Sequence, residues 1–400
     1  MTQGKMQFWV GIALIWISHL AMDFMIGVWA VYKTLATIDL FVAGLIASLS
    51  MFIGEGLQLF FGVLSDKGYQ RSLLALGLGL TAAIPFLSYV ENEWMLFLLV
   101  LCSCLGSGAF HPAASGLSMV GNYAPKSILI SLFICGGMIG AASSQFVYTQ
   151  FYQAFEGKTW FLALPIVILS ICCLCYPFSK GAKQTRKVDF KQILNAIKPY
   201  RFQLILLYVI QVFLQMVVLS FSFLLPDILK IKGYEEWFCL GGGYFCFVIG
   251  SAVLSLPVGY LVNKIGYRSV LAGVVVSSTV LIYTFFAVES LSLMFPVILL
   301  LLIGGGMGVI VPIVVTGGTE VVPEYAKSFV SAIYMGGATC LAGFGPMVTS
   351  LIAVKWTGGA PIPALQLLSV LLIASVCLIY FLPNQSSQEV GELQPVKVNK

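Results

Sequence analysis

Long apolar stretches, separated by short polar segments, run along the whole of this chain of 400 residues. A helix needs roughly 20 apolar residues to cross the hydrocarbon core of a bilayer, and most of the stretches reach that length. The pattern therefore predicts an all-α membrane protein with short connections. Its twelve transmembrane helices are expected at residues 6–32, 40–64, 72–90, 94–117, 128–152, 159–178, 202–226, 237–262, 269–288, 291–317, 328–352 and 363–382.

The chain repeats itself at an interval of about 200 residues. Three segments and their counterparts carry the repeat: 62–72 and 259–269, 106–112 and 306–312, and 131–137 and 331–337. A duplicated membrane bundle is the architecture of secondary transporters, in which the substrate path runs between the halves. We therefore predict two pseudo-symmetric six-helix bundles, at residues 1–180 and 202–385.

The segment between the halves, residues 181–201, is a predicted cytoplasmic linker. Its second part has apolar residues at helical spacing with Lys and Gln between them, as in Phe190, Ile193 and Ile197. This pattern indicates a short amphipathic helix on the membrane interface, where its basic residues favour anionic lipid headgroups. The polar tail at residues 386–400 has no periodicity and is expected to be disordered in the cytoplasm.

Composition makes the bilayer the main solvent of this chain. Hydrophobic residues account for 59% of the sequence and charged residues for 9%, whereas a soluble domain has about 25% charged residues. The sequence has no Gly-x-x-x-x-Gly-Lys-Ser/Thr loop, so ATP-driven transport is not expected. The soluble loops are too short for a catalytic domain, and the sequence predicts neither an enzyme nor a cofactor.

The basic residues are distributed unequally between the two sides. With the N-terminus inside, 16 of the 21 Lys and Arg residues face the cytoplasm. This positive-inside bias predicts a multi-pass protein of the cytoplasmic (inner) membrane with both termini in the cytoplasm. The net charge of +5 forms no separate basic face, so a nucleic-acid partner is not expected.

The ten cysteines fall within predicted spans or at their ends. Cys172, Cys173 and Cys175 lie close together, but they have no His or acidic residue nearby and adjacent helical side chains point in different directions. We interpret these cysteines as small hydrophobic residues, and we expect no metal site and no disulfide framework.

Four titratable residues lie inside predicted spans of the first half: His19, Asp23, Glu55 and His111. An ionised side chain at mid-bilayer costs about 2.5–3.5 kcal/mol on insertion scales, so it requires a cavity or a partner. His19 and Asp23 are four residues apart and lie on one helix face. An imidazole beside a carboxylate can exchange a proton near neutral pH, which makes this pair the first candidate for proton coupling. A static hydrogen-bonded pair that fixes helix packing is the alternative.

Glu55 and His111 each have more than one possible role. Glu55 lies between Gly54 and Gly56, which leave space around a carboxylate. It is a candidate second proton carrier, an anionic site for a cationic substrate, or a partnered structural acid. His111 precedes Pro112, so the helix has an unpaired carbonyl there and is expected to kink. His111 is then expected either to form hydrogen bonds near the cavity or to bond only to the backbone.

The second half has no comparably deep acid or histidine. Its polar interior candidates for a substrate cavity are Gln211 and Gln215, one helical turn apart, with Tyr208 and Tyr244. The halves are therefore expected to be specialised, the first for protons and the second for substrate. Neutral hydrogen-bonding groups and aromatic surface suit a small amphipathic solute.

Glycine recurs at matching places in the fifth and eleventh spans, and a proline follows in the eleventh span alone. Glycine allows helices to approach closely and to bend, which favours either alternating-access gating or plain close packing. The residues in question are Gly136, Gly137, Gly140, Gly336, Gly337 and Pro346, with Pro112 in the fourth span.

The loop after the second span resembles the signature motif of the major facilitator superfamily. The matching residues are Gly62, Leu64, Asp66, Lys67 and Arg71, and the second copy has Asn263, Lys264, Gly266 and Arg268. A carboxylate at a helix end can pair with a neighbouring cation and with a helix N-terminus. These loops are therefore candidates for a cytoplasmic latch that favours one rocking state, with ordinary positive-inside charges as the alternative. The resemblance covers nearly the whole chain and implies the major facilitator fold.

Three segments of the first half look like the fosmidomycin-resistance branch of that superfamily. They are Ser18 to Asp23 in the first span, Gly106 to Pro112 in the fourth, and Ser131 to Gly140 in the fifth. That resemblance implies efflux of a drug or metabolite driven by protons, and it favours a hydrogen-bonding role for His111 near the cavity.

The sequence therefore predicts a monomeric secondary active transporter. It is expected to export a small organic molecule in exchange for protons as the two bundles rock. Proton-coupled import or facilitated diffusion of a small metabolite remains an alternative, because the same cycle runs in either direction with the gradients. A non-transporting sensor or scaffold is the second alternative, although such a protein gains nothing from titratable residues inside its spans.

Overall fold

The computed structural model describes residues 3–118, 123–178, 190–289 and 292–383, and within these ranges it is helical with no strand. We number the helical spans in chain order. The first half contains span 1 (Gln3–Ile26 and Val28–Leu35), span 2 (Leu40–Gly56 and Gln58–Leu64), span 3 (Gln70–Thr81 and the 3-10 helix Ile84–Tyr89), span 4 (Glu93–Ser118), span 5 (Lys126–Ala154) and span 6 (the 3-10 helix Trp160–Leu162 and Ala163–Cys175).

A short helix, Phe190–Ile197, and a 3-10 turn, Lys198–Tyr200, precede the second half. The second half contains span 7 (Arg201–Ile231), span 8 (the π-helix Phe238–Gly242 and Gly243–Ile265), span 9 (Tyr267–Ala287), span 10 (Met294–Gly308 and Ile310–Glu320), span 11 (Glu324–Ala332, the π-helix Ile333–Gly337, Ala338–Ala342 and Gly345–Trp356) and span 12 (Pro361–Leu368 and Val370–Tyr380). The expected tail at 386–400 and residues 181–189 of the linker lie outside the described residues.

Ten helical segments of the described chain are long and apolar enough to cross a membrane. One of them, Leu40–Tyr89, is 50 residues long and contains both span 2 and span 3. Span 6 is a shorter apolar helix, Trp160–Cys175. Together these segments account for the twelve predicted spans, and the all-α membrane fold is confirmed.

The motif loops of the two halves are where the chain reverses direction. Spans 2 and 3 are joined by a π-helical turn, Ser65–Tyr69, in which Gly68 has a φ of 98°. Spans 8 and 9 meet at Gly266, which has a φ of 83°. A residue with a side chain rarely adopts this left-handed backbone, so each reversal depends on its glycine.

The helices of each half pack in the same pattern. In the first half span 1 packs on span 5, span 2 on span 4, and span 3 on spans 4 and 6. In the second half span 7 packs on span 11, span 8 on span 10, and span 9 on spans 10 and 12. Each contact of the first half therefore recurs six spans later, which is the pseudo-symmetry that the sequence repeat predicts.

The halves meet along pairs of helices that also obey this symmetry. Span 2 packs against span 11, span 5 against span 8, and span 1 against span 7. Span 2 corresponds to span 8, and span 5 corresponds to span 11. The contact of span 2 with span 11 is therefore the symmetry equivalent of the contact of span 8 with span 5. Any site shared between the halves must therefore lie beside spans 1, 2, 5, 7, 8 and 11.

Several polar contacts join the halves at the end of the bundle remote from the N-terminus. The Thr149 hydroxyl donates to the Leu240 carbonyl at 2.9 Å. The Met347 N–H donates to the Ser48 hydroxyl at 3.0 Å. Lys33, near the end of span 1, forms an ion pair with Asp227 of span 7. These contacts join the two halves at this end.

Candidate functional site

His19, Asp23 and His111 converge at one point inside the first half. The Nε2 atoms of the two histidines are 3.2 Å apart. His19 Nε2 is 3.3 Å from Asp23 Oδ2, and His111 Nε2 is 3.4 Å from Asp23 Oδ1. His19 and Asp23 share a face of span 1, whereas His111 comes from span 4. The sequence predicts the pairing of His19 with Asp23, and the packing of span 4 against span 1 brings His111 to the same point.

The backbone fixes the tautomer of both histidines. His19 Nδ1 is 2.7 Å from the Phe133 carbonyl, and His111 Nδ1 is 3.0 Å from the Ser107 carbonyl. Because a carbonyl oxygen only accepts, each Nδ1 must carry the proton and donate it. In the neutral imidazoles both Nε2 atoms then have a lone pair, and these lone pairs face each other and the Asp23 carboxylate.

Neighbouring groups hold the His19 ring rigidly. The ring stacks on Phe133 with centroids 3.9 Å apart and planes 15° from parallel. Phe133 lies on span 5, so the same residue supplies both the stacking surface and the carbonyl acceptor. The orientation of His19 is therefore set by the packing of span 5 on span 1.

Glu55 lies next to this cluster on span 2. The Ser107 hydroxyl donates to Glu55 Oε1 at 3.4 Å, and Ser107 also contacts His111 Nδ1 at 3.1 Å. The Glu55 carboxylate interacts electrostatically with both His111 and Asp23. A hydroxyl thus links the second acid to the cluster, and four titratable groups form one connected network.

Part of this network is accessible. The side chains of Asp23 and His111 are 24% and 27% exposed, whereas that of His19 is only 6% exposed. Tyr244 of span 8 interacts electrostatically with Asp23 across the boundary between the halves. The predicted proton site of the first half and one predicted substrate residue of the second half are therefore coupled electrostatically.

Glycines of span 5 make this arrangement possible. A Cβ atom on Gly137 would lie 2.5 Å from His19 Nε2 and 2.5 Å from Asp23 Oδ2. A Cβ on Gly136 would lie 2.8 Å from the Trp16 carbonyl, and one on Gly140 would overlap the Leu20 carbonyl. These residues allow close approach of span 5 to span 1, and Gly137 in particular leaves room for the cluster.

The polar residues of the second half predicted to line a substrate cavity differ in how deeply they are buried. Gln211 is fully buried, and its amide donates to the Tyr334 carbonyl at 2.6 Å. Gln211 therefore joins span 7 to span 11 inside the half and does not line accessible space, contrary to the expectation. Gln215 is partly exposed and accepts a hydrogen bond from Thr339 at 2.9 Å. Tyr208 is also partly exposed.

The remaining gating candidates lie at helix contacts. A Cβ on Gly336 would lie 2.9 Å from Gln58 Oε1 of the opposite half, and one on Gly337 would lie 3.5 Å from the Tyr208 hydroxyl. The Pro346 carbonyl would lie 2.8 Å from a Cβ on Gly44 of span 2. Pro112 lies inside the continuous helix of span 4.

The two motif arginines each form a hydrogen bond within their own half. Arg71 donates to the Phe178 carbonyl at 3.2 Å, and Arg268 donates to the Tyr380 carbonyl at 2.7 Å. Each arginine thus binds the chain at the end of the sixth span of its own half. The remaining motif side chains, Asp66, Lys67, Asn263 and Lys264, are exposed, and Gly62 lies in span 2. Asp66 has no ion pair within the described residues, so the expected carboxylate–cation latch is not formed in this conformation.

Sequence reasoning missed the ion pair between Lys33 and Asp227. Lys33 is 2% exposed, and its ammonium also lies 4.6 Å from the centroid of the Phe223 ring. The Thr34 hydroxyl donates to Asp227 Oδ1 at 2.7 Å. The available signal was an isolated lysine and an isolated aspartate near equivalent ends of the first span of each half.

Comparison with known proteins agrees with this architecture. The family model of the Major Facilitator Superfamily matches residues 10–316 and 240–397. The chain therefore belongs to the major facilitator superfamily. A curated relative, the uncharacterized MFS-type transporter YuxJ of Bacillus subtilis (strain 168), is 25% identical over 352 residues, which cover 81% of this chain and 83% of that protein.

Solved structures share the fold across almost the whole chain. The nucleoside transporter NupG, solved as a mutant, matches with a TM-score of 0.77 and 13% identity, and the match covers 94% of this chain and 98% of NupG. A bacterial homolog of the human lysosomal transporter Spinster, inward-facing and unoccupied, matches with a TM-score of 0.72 and 13% identity over 95% of both chains. The protein is a multi-pass membrane transporter of this superfamily, and a transporter of this superfamily implies a small-molecule substrate.

Proposed function

We propose that this transporter exports a small organic molecule in exchange for protons. The observation that carries the proposal is the convergence of His19, His111 and Asp23. Two imidazole lone pairs and a carboxylate meet within 3.2–3.4 Å, and such an arrangement repels itself unless a positive charge lies within it. A proton on one of the Nε2 atoms makes it a donor to its neighbours and relieves this repulsion, and Glu55 beside the cluster offers a second acceptor.

Proton uptake at this point is suited to coupling because the cluster includes residues of a span that packs against the second half. His111 belongs to span 4, and Asp23 to span 1, which also contacts the second half through span 7. Tyr244 of span 8 interacts electrostatically with Asp23. A change in the charge of the cluster therefore alters the electrostatics of the surface along which the two halves move during alternating access.

The conformation and membrane orientation follow from the same proposal. The contacts of Lys33 with Asp227, Ser48 with Met347, and Thr149 with Leu240 close the end remote from the N-terminus. We propose that both termini are cytoplasmic in the inner membrane, as the positive-inside bias favours, and that the protein works as a monomer among lipids. The closed end is then the outer one, and the cluster is reached from the cytoplasm.

The proposed substrate is small and amphipathic. Tyr208, Gln215 and Tyr244 are partly exposed and offer neutral hydrogen bonds and aromatic surface. Export is the direction that the resemblance to the fosmidomycin-resistance branch implies. An inward proton gradient would drive such export if protons and substrate occupy the cluster region alternately.

Two measurements test this proposal. First, the small molecules that accumulate in cells lacking the protein identify candidate substrates. Second, proteoliposomes that contain the protein and the candidate solute are given a pH gradient, and solute flux and proton flux are followed together. Opposite fluxes in a fixed ratio support antiport. Solute flux that ignores the gradient indicates a facilitator, and flux in the same direction as protons indicates an importer.

Variants locate the coupling site. Asp23→Asn and His111→Gln are expected to abolish the effect of the pH gradient while solute exchange between the two sides continues. Glu91→Gln, an exposed acid in the connection before span 4, serves as the matched control and is expected to keep full coupling. Full coupling in both cluster variants would remove the cluster from the mechanism.

A further inference from the structure

We propose that His19, Asp23 and His111 also form a binding site for a divalent d-block cation, with Zn²⁺ as the representative ion. The inference deepens the proposed function because the metal ion and the coupling proton would compete for the same donors. Among the described residues, these three form the one group of His, Cys, Asp or Glu whose ligand atoms converge, all within 4.8 Å of one another.

The spacing of the donors matches a metal coordination polyhedron. Zinc–ligand bonds of about 2.0–2.2 Å in a tetrahedron put neighbouring ligand atoms about 3.3–3.5 Å apart. The closest distances between donors of different residues are 3.2, 3.3 and 3.4 Å, which is in this range although two of them end on different oxygens of Asp23. The two histidines approach different oxygens of Asp23, so a bound ion would take either one oxygen after a small rotation of the carboxylate or both oxygens.

The surroundings of the donors are those of a metal site. A ligating histidine characteristically donates its other ring N–H to a carbonyl or carboxylate, which orients the ring and leaves the ligating nitrogen unprotonated. Both histidines do so here, through Nδ1 to the carbonyls of Phe133 and Ser107. The two imidazoles therefore need no change of tautomer to bind an ion.

Charge and access favour an exchangeable ion. Two neutral imidazoles and one carboxylate carry a charge of −1, and the nearby Glu55 carboxylate compensates the second charge of a divalent cation. Three protein ligands leave a fourth position open, as in sites that exchange their ligand, whereas structural zinc sites are closed by four protein ligands. Asp23 and His111 are each about a quarter exposed, so these donors are accessible to an exchanging ion.

The first test measures zinc coordination on the purified full-length protein. His19 and His111 are the only two histidines of the chain, so any imidazole bound to the metal must be one of them, provided that the purification tag lacks histidine. Zinc K-edge X-ray absorption is expected to show two imidazoles and oxygen ligands at one zinc per chain. Coordination by sulfur from the ten free cysteines, or no bound zinc, would overturn the inference.

The second test uses variants and zinc affinity by calorimetry. His111→Gln and Asp23→Asn are expected to lower the affinity by about 100-fold or more, since even loss of an outer partner costs about 10- to 100-fold. Gly137→Ala keeps every donor but places a methyl group 2.5 Å from His19 Nε2, and it is also expected to weaken binding at least tenfold. Gly273→Ala has no atom within 4 Å of its new methyl group and is the matched control.

These results separate the inference from the proposed function. If protons couple to transport through Asp23 but no zinc–imidazole coordination is found, the metal-site proposal is overturned and the antiport proposal is retained. If zinc binds through two imidazoles while Asp23→Asn still couples fully, the metal-site proposal is supported and the assignment of proton coupling to this cluster is overturned. Unchanged zinc affinity in Gly137→Ala and in His111→Gln would also overturn the metal site.

Discussion

Lys33 and Asp227 form an ion pair that connects the two halves of the transporter at the end remote from the N-terminus. The residues are 194 positions apart in sequence, near the ends of spans 1 and 7. Lys33 is nearly inaccessible, with 2% of its side chain exposed, whereas Asp227 is 23% exposed. The pair is therefore a charge contact in low-dielectric surroundings that must break when the halves separate at this end.

Removal of one member of this pair is expected to destabilise the protein more than removal of both. A single substitution leaves a buried charge without its partner, which costs about 3–5 kcal/mol, whereas an apolar replacement of both partners is often nearly neutral. We expect Lys33→Met and Asp227→Leu each to lower the unfolding midpoint in detergent, and the double variant to recover most of the loss. Lys158→Met, an exposed lysine after span 5, is the control. Additive losses would show that the two charges do not interact.

A disulfide between spans 2 and 11 is expected to arrest transport. The Met347 N–H lies 3.0 Å from the Ser48 hydroxyl, so the backbones of the two halves are close enough there for cysteine side chains to reach each other. Oxidation of the double variant Ser48→Cys and Met347→Cys should abolish solute flux, and reduction should restore it. Each single variant, oxidised in the same way, controls for the native cysteines. Undiminished flux in the cross-linked protein would contradict opening at this end.

The motif arginines are expected to stabilise the two halves independently. Arg71 and Arg268 each donate to a carbonyl within their own half, and a hydrogen bond from a charged group contributes about 1.5–3 kcal/mol. Arg71→Met and Arg268→Met should each lower the free energy of unfolding in mixed micelles. Because the sites lie in different halves, their effects should add within about 0.5 kcal/mol. A loss in the double variant well beyond the sum would indicate a latch that joins the halves.

Close approach of spans 8 and 10 depends on Gly304. A Cβ at this position would overlap the Phe247 carbonyl, and backbone cannot move aside as a flexible side chain can. Overpacking of this kind costs about 1–3 kcal/mol, so Gly304→Ala should lower the unfolding midpoint. Gly273→Ala on span 9 meets open space and should leave the midpoint unchanged. Equal unfolding midpoints for Gly304→Ala and Gly273→Ala would show that spans 8 and 10 can move apart without loss of stability.

Much of the fold could be predicted from the sequence because the bilayer imposes it. An apolar stretch of sufficient length forms a helix in lipid, where no water can satisfy the backbone. The repeat of Gly62 to Ser72 as residues 259–269 then predicts the symmetry that the helix contacts show. Helix ends were less accurate: span 7 continues to Ile231, beyond the expected end at 226. The expected end falls at Pro226, just before Asp227, but the helix continues through this proline.

The candidate site was only partly visible in the sequence. His19 and Asp23 are four residues apart, so the geometry of any helix brings them to one face. Gln211 has the same type of spacing from Gln215, yet it is fully buried and bound to a carbonyl. Helical periodicity tells which residues share a face, but it does not tell whether that face meets a neighbouring helix or open space.

The sequence by itself determined that this chain is a duplicated bundle of membrane helices with titratable residues in its first half, because length, hydropathy and repetition are properties of the linear chain. Only the tertiary structure decided which of those residues meet. His111 reaches His19 across 92 positions, and Lys33 reaches Asp227 across 194. Such contacts depend on how closely the spans pack, which is set by small residues such as Gly137 and by the shapes of both helices together.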